Sequence, residues 1–313
     1  MASAPVESAV TYEQLQDLQD EFEEADVELL RVQDKLSKGL FAKRAKLVAD
    51  IPNFWPLVFE QSPSDIDEYI QPSDAALLLG SLRSLSVERF ELPDGDPRSL
   101  SIRFDFADND HFHDKSLEKK FWWRRAKDGW SGLVSEPVDI RWKSPEKDLT
   151  GGMLSLVRKI WEEDRSGVDS GSETEAKKEL KQLMNRTGLG GVSFFAWFGF
   201  RGRPISAEES REATDMEREK RQARKNGQRS DEADTDSDDS QDEYELEIFP
   251  LAEDVALAIA EDLWPGATNY FIQAQEQEAM SDTAFESDDD DDMSVEDDDD
   301  DHERNTKRRR NGE

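Results

Sequence analysis

The chain has 313 residues and a formal net charge of -34, from 74 acidic and 40 basic side chains. This charge disfavours direct binding to nucleic acid or to an anionic membrane and favours a basic partner, because like charges repel. Cysteine is absent, no apolar run approaches the roughly 20 residues that span a bilayer, and the N-terminus lacks signal-peptide features, so we expect a soluble intracellular protein without disulfides or zinc–thiolate sites.

The N-terminal segment carries an apolar seam with alternating steps of three and four residues, which is typical of a heptad repeat. Its members are Leu15, Leu18, Phe22, Ala25, Leu29, Val32 and Leu36, and the seam then moves to Leu40. Thr11 and Gln14 form a capping box and Pro52 ends the pattern, so a helix of about 60 Å is predicted over 11–50. No other segment is long enough to cover it. We therefore predict a homodimer through this seam, with packing on its own domain as the alternative.

The next part predicts a compact aromatic turn over Pro52–Leu57, two short helices and then four strands. The helices are predicted over Ser64–Ile70 and Ser73–Leu82. Alternating or aromatic runs separated by turn residues predict the strands Val87–Leu92, Leu100–Ala107, Leu117–Arg125 and Val138–Trp142. Strands in such close succession favour a four-stranded antiparallel meander with one covered face.

The rest of the chain has helical patterns, so helices must cover the apolar face of this meander. An antiparallel sheet covered by helices belongs to the α+β class. The candidate covering segments are Met153–Glu163, Phe194–Phe200, Leu251–Trp264 and Tyr270–Gln277. The aromatic run Phe194–Phe198 is interpreted as core. Residues 165–187 are expected to form a loop with one exposed helix near Glu173–Met184.

Two stretches have low complexity. Residues 202–244 are interpreted as a solvating insertion, with a mixed basic first half and an acidic second half. Residues 281–313 are predicted to be a disordered acidic tail, since such like-charge density prevents apolar burial. Its acidic runs are Asp288, Asp289, Asp290, Asp291, Asp292 and Asp297, Asp298, Asp299, Asp300, Asp301. The basic cluster Lys307, Arg308, Arg309 and Arg310 is a candidate nuclear import signal, or it folds back onto the second acidic run.

The sequence offers few chemical sites. The turn from Asp108 to Asp114 contains His111 and His113, which could bind a metal, but Asp and Asn are also common turn formers. The glycines of Gly188–Gly191 lack the context of a nucleotide site. No nucleophile–base pair can be named. We therefore predict that the protein is not an enzyme and needs no metal or cofactor.

Several motifs then point to a family. In order, they are Ile51-Pro52-Asn53-Phe54-Trp55, Ile102-Arg103-Phe104-Asp105-Phe106, Ile140-Arg141-Trp142-Lys143-Ser144, Asp148-Leu149-Thr150, Ser193-Phe194-Phe195-Ala196-Trp197-Phe198, and Asp262-Leu263-Trp264-Pro265 with Tyr270-Phe271. Together they resemble the nucleosome assembly protein family over about residues 12–275. The branch that they most resemble contains the SET oncoprotein and its yeast relative named for vacuolar protein sorting. Ala196 and Gly199 replace residues that are often polar in that family.

The resemblance implies a headphone-shaped homodimer and a histone chaperone that shields core histones from DNA. Residues 1–51 would form the dimerisation helix, 52–280 an earmuff domain that binds histones, and 281–313 the tail. The histone-binding acids are expected at Glu253, Asp254, Glu261, Asp262 and Glu247. The alternative function is a regulatory cofactor of a histone acetyltransferase or an inhibitor of a protein phosphatase. The expected location is the nucleus, with shuttling through the cytoplasm.

Overall fold

The computed structural model of the chain describes residues 10–166, 174–188, 191–225 and 246–288. The chain divides into a large unit, Met1–Ala274, and a small one, Gln275–Glu313. The large unit contains a long N-terminal helix and a body, by which we mean the described residues from 52 to 274. Of the small unit, the structure describes residues 275–288 as part of the last helix.

The N-terminal helix α1 spans Tyr12–Val48, as the seam predicts. Its start is fixed by a capping box in which Gln14 N donates to Thr11 Oγ1 at 3.3 Å and Thr11 N donates to Gln14 Oε1 at 3.0 Å. Such reciprocal bonds satisfy backbone donors that the first turn leaves without partners. The helix is therefore about 55 Å long at 1.5 Å per residue.

The next elements are three short helices: α2 over Phe54–Glu60, α3 over Ser64–Asp67 and α4 over Pro72–Ser81. The prediction of an aromatic turn at 52–57 was wrong in part, since only residues up to Asn53 turn and Phe54 already starts a helix. Phe54 and Trp55 are buried by this helix and pack edge to face, with ring centroids 5.2 Å apart. The helix thus carries the aromatic residues of the motif into the core.

The sheet is an antiparallel meander in the order β1-β2-β3-β4. The strands are β1 Leu82–Glu88, β2 Leu100–Phe106, β3 Ser116–Arg125 and β4 Ser131–Ser135. In the register of the central pair, Phe104 lies opposite Leu117 and Ile102 opposite Lys119. The predicted topology is confirmed, although two of the four strands lie at other positions.

The predicted fourth strand, Val138–Trp142, was wrong, because Gly129 with φ of 91° turns the chain directly into β4 at Ser131. Residues 138–142 instead bond to loops: Val138 N donates to Phe198 O at 2.8 Å, and Trp142 bridges Phe112. Their alternation reflects a face turned to the core, where Ile140 is buried and Val138 and Trp142 are partly buried. The first strand also begins five residues before the predicted Val87, while residues 89–92 lead into a turn.

One face of the sheet is covered by helical segments, as predicted. The 3-10 segment Phe194–Gly199 packs its aromatic rings on Phe104 of β2. The core that it joins also contains side chains of α5 over Met153–Arg165, α8 over Ala252–Ala258, the π turn Ile259–Leu263 and the first turns of α9, which spans Trp264–Asp288. Every residue of the 3-10 segment is buried, which confirms its interpretation as core. An added Cβ at Gly199 would lie 2.8 Å from Ile248 Cδ1, so a larger residue there would require the Ile248 side chain to move.

Two helices differ from expectation. The helix predicted as exposed near Glu173–Met184 is α6, Glu175–Thr187, and it buries Ala176 and Leu180 against the core. The predicted insertion 202–244 begins with a 19-residue helix, α7, Ala207–Lys225, while 226–244 lies outside the described residues. The tail was predicted to start at residue 281, but helix α9 continues to Asp288. Residues 281–287 precede the aspartate run and contain residues that a helix tolerates.

The helix α1 is fastened to the body at three places. Near its C-terminal end, the Arg44 guanidinium lies 4.4 Å from the Trp264 ring centroid, and Nη1 donates to Trp264 O at 2.6 Å. In the middle, Arg31 donates to Pro93 O at 3.0 Å and to Gly95 O at 2.8 Å. Near the N-terminal end, Asp20 receives ion pairs from helix α7.

We expect Arg44→Ala to destabilise the protein by about 2 kcal/mol, because it removes a partly desolvated cation–π contact and a carbonyl hydrogen bond. Urea unfolding followed by circular dichroism measures this as a lower midpoint at an unchanged slope. Lys43→Ala, at the exposed neighbouring position, is the matched control and should leave the midpoint near that of the wild type. Equal midpoints for both variants would contradict this role of Arg44.

Candidate functional site

The first candidate surface is the apolar stripe of α1. All seven residues predicted for dimerisation are exposed in the single chain, with exposed fractions of 45% or more: Leu15, Leu18, Phe22, Leu29, Val32, Leu36 and Leu40. Asp20 and Phe41 lie on another face of the helix and contact the body. A stripe of this length is rare on a monomer and marks an association surface.

The second candidate is an acidic surface, which we define as the exposed carboxylates Asp65, Glu68, Asp254, Glu261 and Asp262. Helix α3 packs against helix α8. This contact places Asp65, Glu68 and Asp254 around the hydroxyl group of Tyr69. Partial desolvation, a hydrogen bond to Glu68 and the charges of Asp254 and Asp65 raise the pKa of Tyr69. Desolvation is the largest cause, and all the others come from these carboxylates.

Two more exposed carboxylates, Glu261 and Asp262, lie on the π turn that follows α8. Glu261 lies 3.5 Å from Arg89 and keeps half of its side chain exposed. Asp262 accepts a hydrogen bond from Tyr270 Oη at 2.9 Å. Desolvation, followed by the contact with Asp262, raises the pKa of Tyr270 to about 12. Both carboxylates therefore remain near solvent while a neighbouring side chain orients each of them.

Two of the five predicted site residues serve the fold instead. Glu253 is half-buried, and its Oε1 accepts a hydrogen bond from Leu133 N of β4 at 3.0 Å. Burial raises its pKa. Glu247 is only 1% exposed, and its carboxylate lies 3.5 Å from Arg201 Nε and 3.3 Å from Gly202 N. The structure does not place Glu247 on a surface that a partner could reach.

Glu247 also shares a buried charge cluster with Lys119 of β3. The ammonium group of Lys119 donates to the carbonyl oxygens of Glu136, Phe198 and Phe200 at 2.7, 2.9 and 2.6 Å. Burial raises the pKa of Glu247 and lowers that of Lys119, while their mutual attraction opposes both shifts. This cluster ties the sheet to the 3-10 segment and to the segment that contains Glu247.

Sequence reasoning missed Asp65 and Glu68 as parts of the acidic surface. It predicted their helix but had no means of placing α3 beside α8, because 186 residues separate Glu68 from Asp254. The only sequence signal was local, namely the concentration of acids after Pro63. The remaining predicted acids and the basic cluster of the tail, Lys307–Arg310, lie outside the described side chains.

The turn from Asp108 to Asp114 serves the fold. Asn109 Oδ1 accepts hydrogen bonds from His111 N and Phe112 N, while Asp114 accepts two from Arg141. These contacts fit the turn interpretation. Within the described parts of the chain, no group of three potential ligands could hold a metal ion. None of the described helices is both long and apolar enough to span a bilayer.

Comparison with known proteins identifies the family. The family model of the Nucleosome assembly protein (NAP) family matches residues 8–274, so the chain belongs to the nucleosome assembly protein family. A Schizosaccharomyces pombe protein named for nucleosome assembly is 36% identical over 155 residues, which are 46% of this chain and 62% of that relative. Protein SET of Drosophila melanogaster is 29% identical over 194 residues, 59% of this chain and 60% of that protein.

The chain thus matches about 60% of the length of these two relatives. Among solved structures, Ccp1 superposes with a TM-score of 0.51 at 25% identity, covering 84% of this chain and 95% of that chain. Vps75 gives a TM-score of 0.51 at 20% identity, with 83% and 96% covered. These structures have the same fold, with the long helix and the covered meander that the sequence predicts.

We expect Glu247→Gln to lower the free energy of unfolding by about 2–3 kcal/mol, because it leaves buried cationic groups without their counter-charge. Asp254→Asn removes one charge from the exposed position and should change stability by less than about 0.5 kcal/mol. Chemical denaturation of both variants measures the difference. If both lose stability equally, the division into internal and surface carboxylates is incorrect.

Proposed function

We propose that the protein is a histone chaperone that binds core histones on the acidic surface and promotes nucleosome assembly. The observation that carries the proposal is the gathering of exposed carboxylates from α3 and α8 around Tyr69, with two more exposed on the π turn that follows α8. Histones present dense Lys and Arg side chains that otherwise bind DNA phosphates. A surface of this charge competes with DNA for the same groups.

A chaperone must release histones as well as bind them, and the exposure of the acids on this surface allows both. The acids of the surface are exposed, so each contact with a histone is screened by salt and weak on its own. Many such contacts together give useful affinity and still exchange stepwise with DNA. No large buried charge pair needs to be broken when the histone leaves.

We further propose that two chains associate through the apolar stripes of α1 and that residues 1–51 form the dimerisation unit. The stripe is supported by its continuity and by its exposure in the single chain. Two stripes would bury each other as in a coiled coil. The homodimer would carry one acidic surface on each body, held apart by the paired helices.

We also propose a nuclear location, with residues 52–280 as the histone-binding domain and 281–313 as an accessory tail. The acidic runs of the tail add negative charge that raises the rate of capture more than it fixes geometry. The basic cluster at 307–310 has the composition of an import signal. Contact with an acetyltransferase remains a separate hypothesis, which these surfaces do not require.

Replacing Leu29 with Asp should weaken the dimer roughly a hundredfold, since the change buries a carboxylate in an apolar seam. Sedimentation velocity across a concentration series measures the shift from dimer to monomer. Gln33→Asp adds the same charge at an exposed position outside the stripe and should leave the dimer nearly intact. A Leu29→Asp protein that sediments as the wild type does would contradict the role of the stripe.

Neutralising Asp254, Glu261 and Asp262 together, as Asp254→Asn, Glu261→Gln and Asp262→Asn, should weaken histone binding roughly tenfold at low salt and less at high salt. Fluorescence titration of H2A–H2B and H3–H4 at two salt concentrations measures the effect. A chain that ends at residue 280 should retain most of the affinity if the tail is accessory.

The control triple is Asp108→Asn, Asp110→Asn and Glu146→Gln, which removes three charges from exposed positions in other loops. It should weaken binding much less than the first triple. Equal losses from both triples would mean that net charge alone determines affinity. Loss of binding on truncation, with no effect of the first triple, would place the site in the tail instead.

A further inference from the structure

Beside the acidic surface lies an apolar cleft of about 330 Å³. Its lining residues are Glu68, Tyr69, Gln71, Val192, Ile248, Phe249, Pro250 and Leu251. Tyr69 and Phe249 form one wall, with ring centroids 5.3 Å apart. Leu251 stands at the rim with 45% of its surface exposed, just before helix α8. The cleft is large enough for one or two aliphatic side chains.

The rim of the cleft is negative. Glu68 belongs to the lining, and the charges of Asp65 and Asp254 act at the Tyr69 hydroxyl beside it. No basic side chain is present among the described residues that line the cleft. A ligand that inserts an apolar group here therefore gains most if cationic groups flank that group.

We infer that this cleft anchors a basic peptide segment of the partner by one aliphatic side chain, while flanking Lys or Arg side chains pair with the rim carboxylates. The inference rests on the proposed function, because it assigns a histone segment of this composition to the cleft. It adds an apolar anchor to a surface that otherwise recognises charge alone.

The chain itself has no segment that combines cations with an aliphatic anchor in the parts that lie outside the described residues, and residues 1–9, 167–173 and 189–190 contain no Lys or Arg. Residues 226–245 contain nine acids and one base, Arg229, so the rim would repel them. Residues 289–303 are acidic without a base. Residues 304–313 supply cations at Lys307–Arg310 but contain no aliphatic or aromatic side chain to enter the cleft. Charge complementarity therefore favours another, basic chain.

An apolar anchor changes how binding depends on salt. The pairs at the rim weaken as ionic strength rises, whereas burial of an aliphatic side chain does not. A basic peptide with the anchor should retain part of its affinity at high salt, and the same peptide without the anchor should lose nearly all of it. This difference separates the cleft from a purely electrostatic surface.

The test uses the full chain and two capped, lysine-rich peptides that differ only in a central leucine or serine. Fluorescence anisotropy at low and high salt should give roughly five- to tenfold tighter binding for the leucine peptide. Leu251→Ser should abolish that preference while leaving the serine peptide unaffected. Serine is a favourable residue at a helix N-cap, so this variant is expected to keep α8 intact.

Leu79→Ser is the matched control, since Leu79 has a similar exposure of 43% and does not line the cleft. It should retain the leucine preference. A preference that survives in Leu251→Ser, or that is lost equally in Leu79→Ser, overturns the inference. Histone affinity measured on the same samples keeps the two proposals apart, because the inference can fail while histone binding and its dependence on the acidic surface persist.

A second measurement identifies the occupant. The chain has no cysteine, so Leu251→Cys provides a unique thiol for a photoreactive label. Cross-linking to the leucine peptide, and to a histone in competition with it, supports the inference. Cross-linking mainly to residues 226–245 or 304–313 of the chain itself, or to α1 of a second copy, overturns it by showing that the protein already fills the cleft.

Discussion

The attachment of Arg44 to the aromatic residues of the body is the interaction on which the arrangement of both surfaces depends. Its guanidinium packs against both Phe41 and Trp264, 4.9 and 4.4 Å from their ring centroids, and Trp264 stacks in turn on Trp55. Burial lowers the pKa of Arg44 to about 10, so the side chain is still charged at neutral pH. By fixing one face of α1 against the body, this contact leaves the apolar stripe facing outward.

The acids of this chain fall into two groups that differ in burial. Glu247 and Glu253 are desolvated and hold the backbone of neighbouring segments, and burial raises the pKa of each. Asp254, directly after Glu253, and Glu261, eight residues after it, remain exposed. On α8, neighbouring positions are rotated by about 100° around the helix axis, so Glu253 faces β4 while the next residue, Asp254, stays exposed. An excess of acidic residues in a segment therefore does not by itself show where a binding surface lies.

Sequence reasoning succeeded where a local pattern was sufficient and failed where the outcome depended on tertiary contacts. The seam from Leu15 to Leu40 predicted α1 and its exposed stripe, since heptad spacing is a property of one segment. The strand predicted at Val138–Trp142 was wrong because alternation reports a buried face without specifying a pairing partner. The acidic surface was predicted in part: Asp254 lies on it, whereas Glu68 joins it only through the packing of α3 on α8, and Glu247 is internal.

The two ends of α1 are held by different kinds of force. At Arg44 the contact is mainly aromatic stacking with carbonyl hydrogen bonds, whereas near the N-terminal end α7 holds Asp20 and Glu24 through Arg221 and Arg224. Ionic strength weakens the second kind more than the first. Raised ionic strength would therefore loosen the N-terminal part of α1 from the body, while the contact at Arg44 would still hold the other end in place.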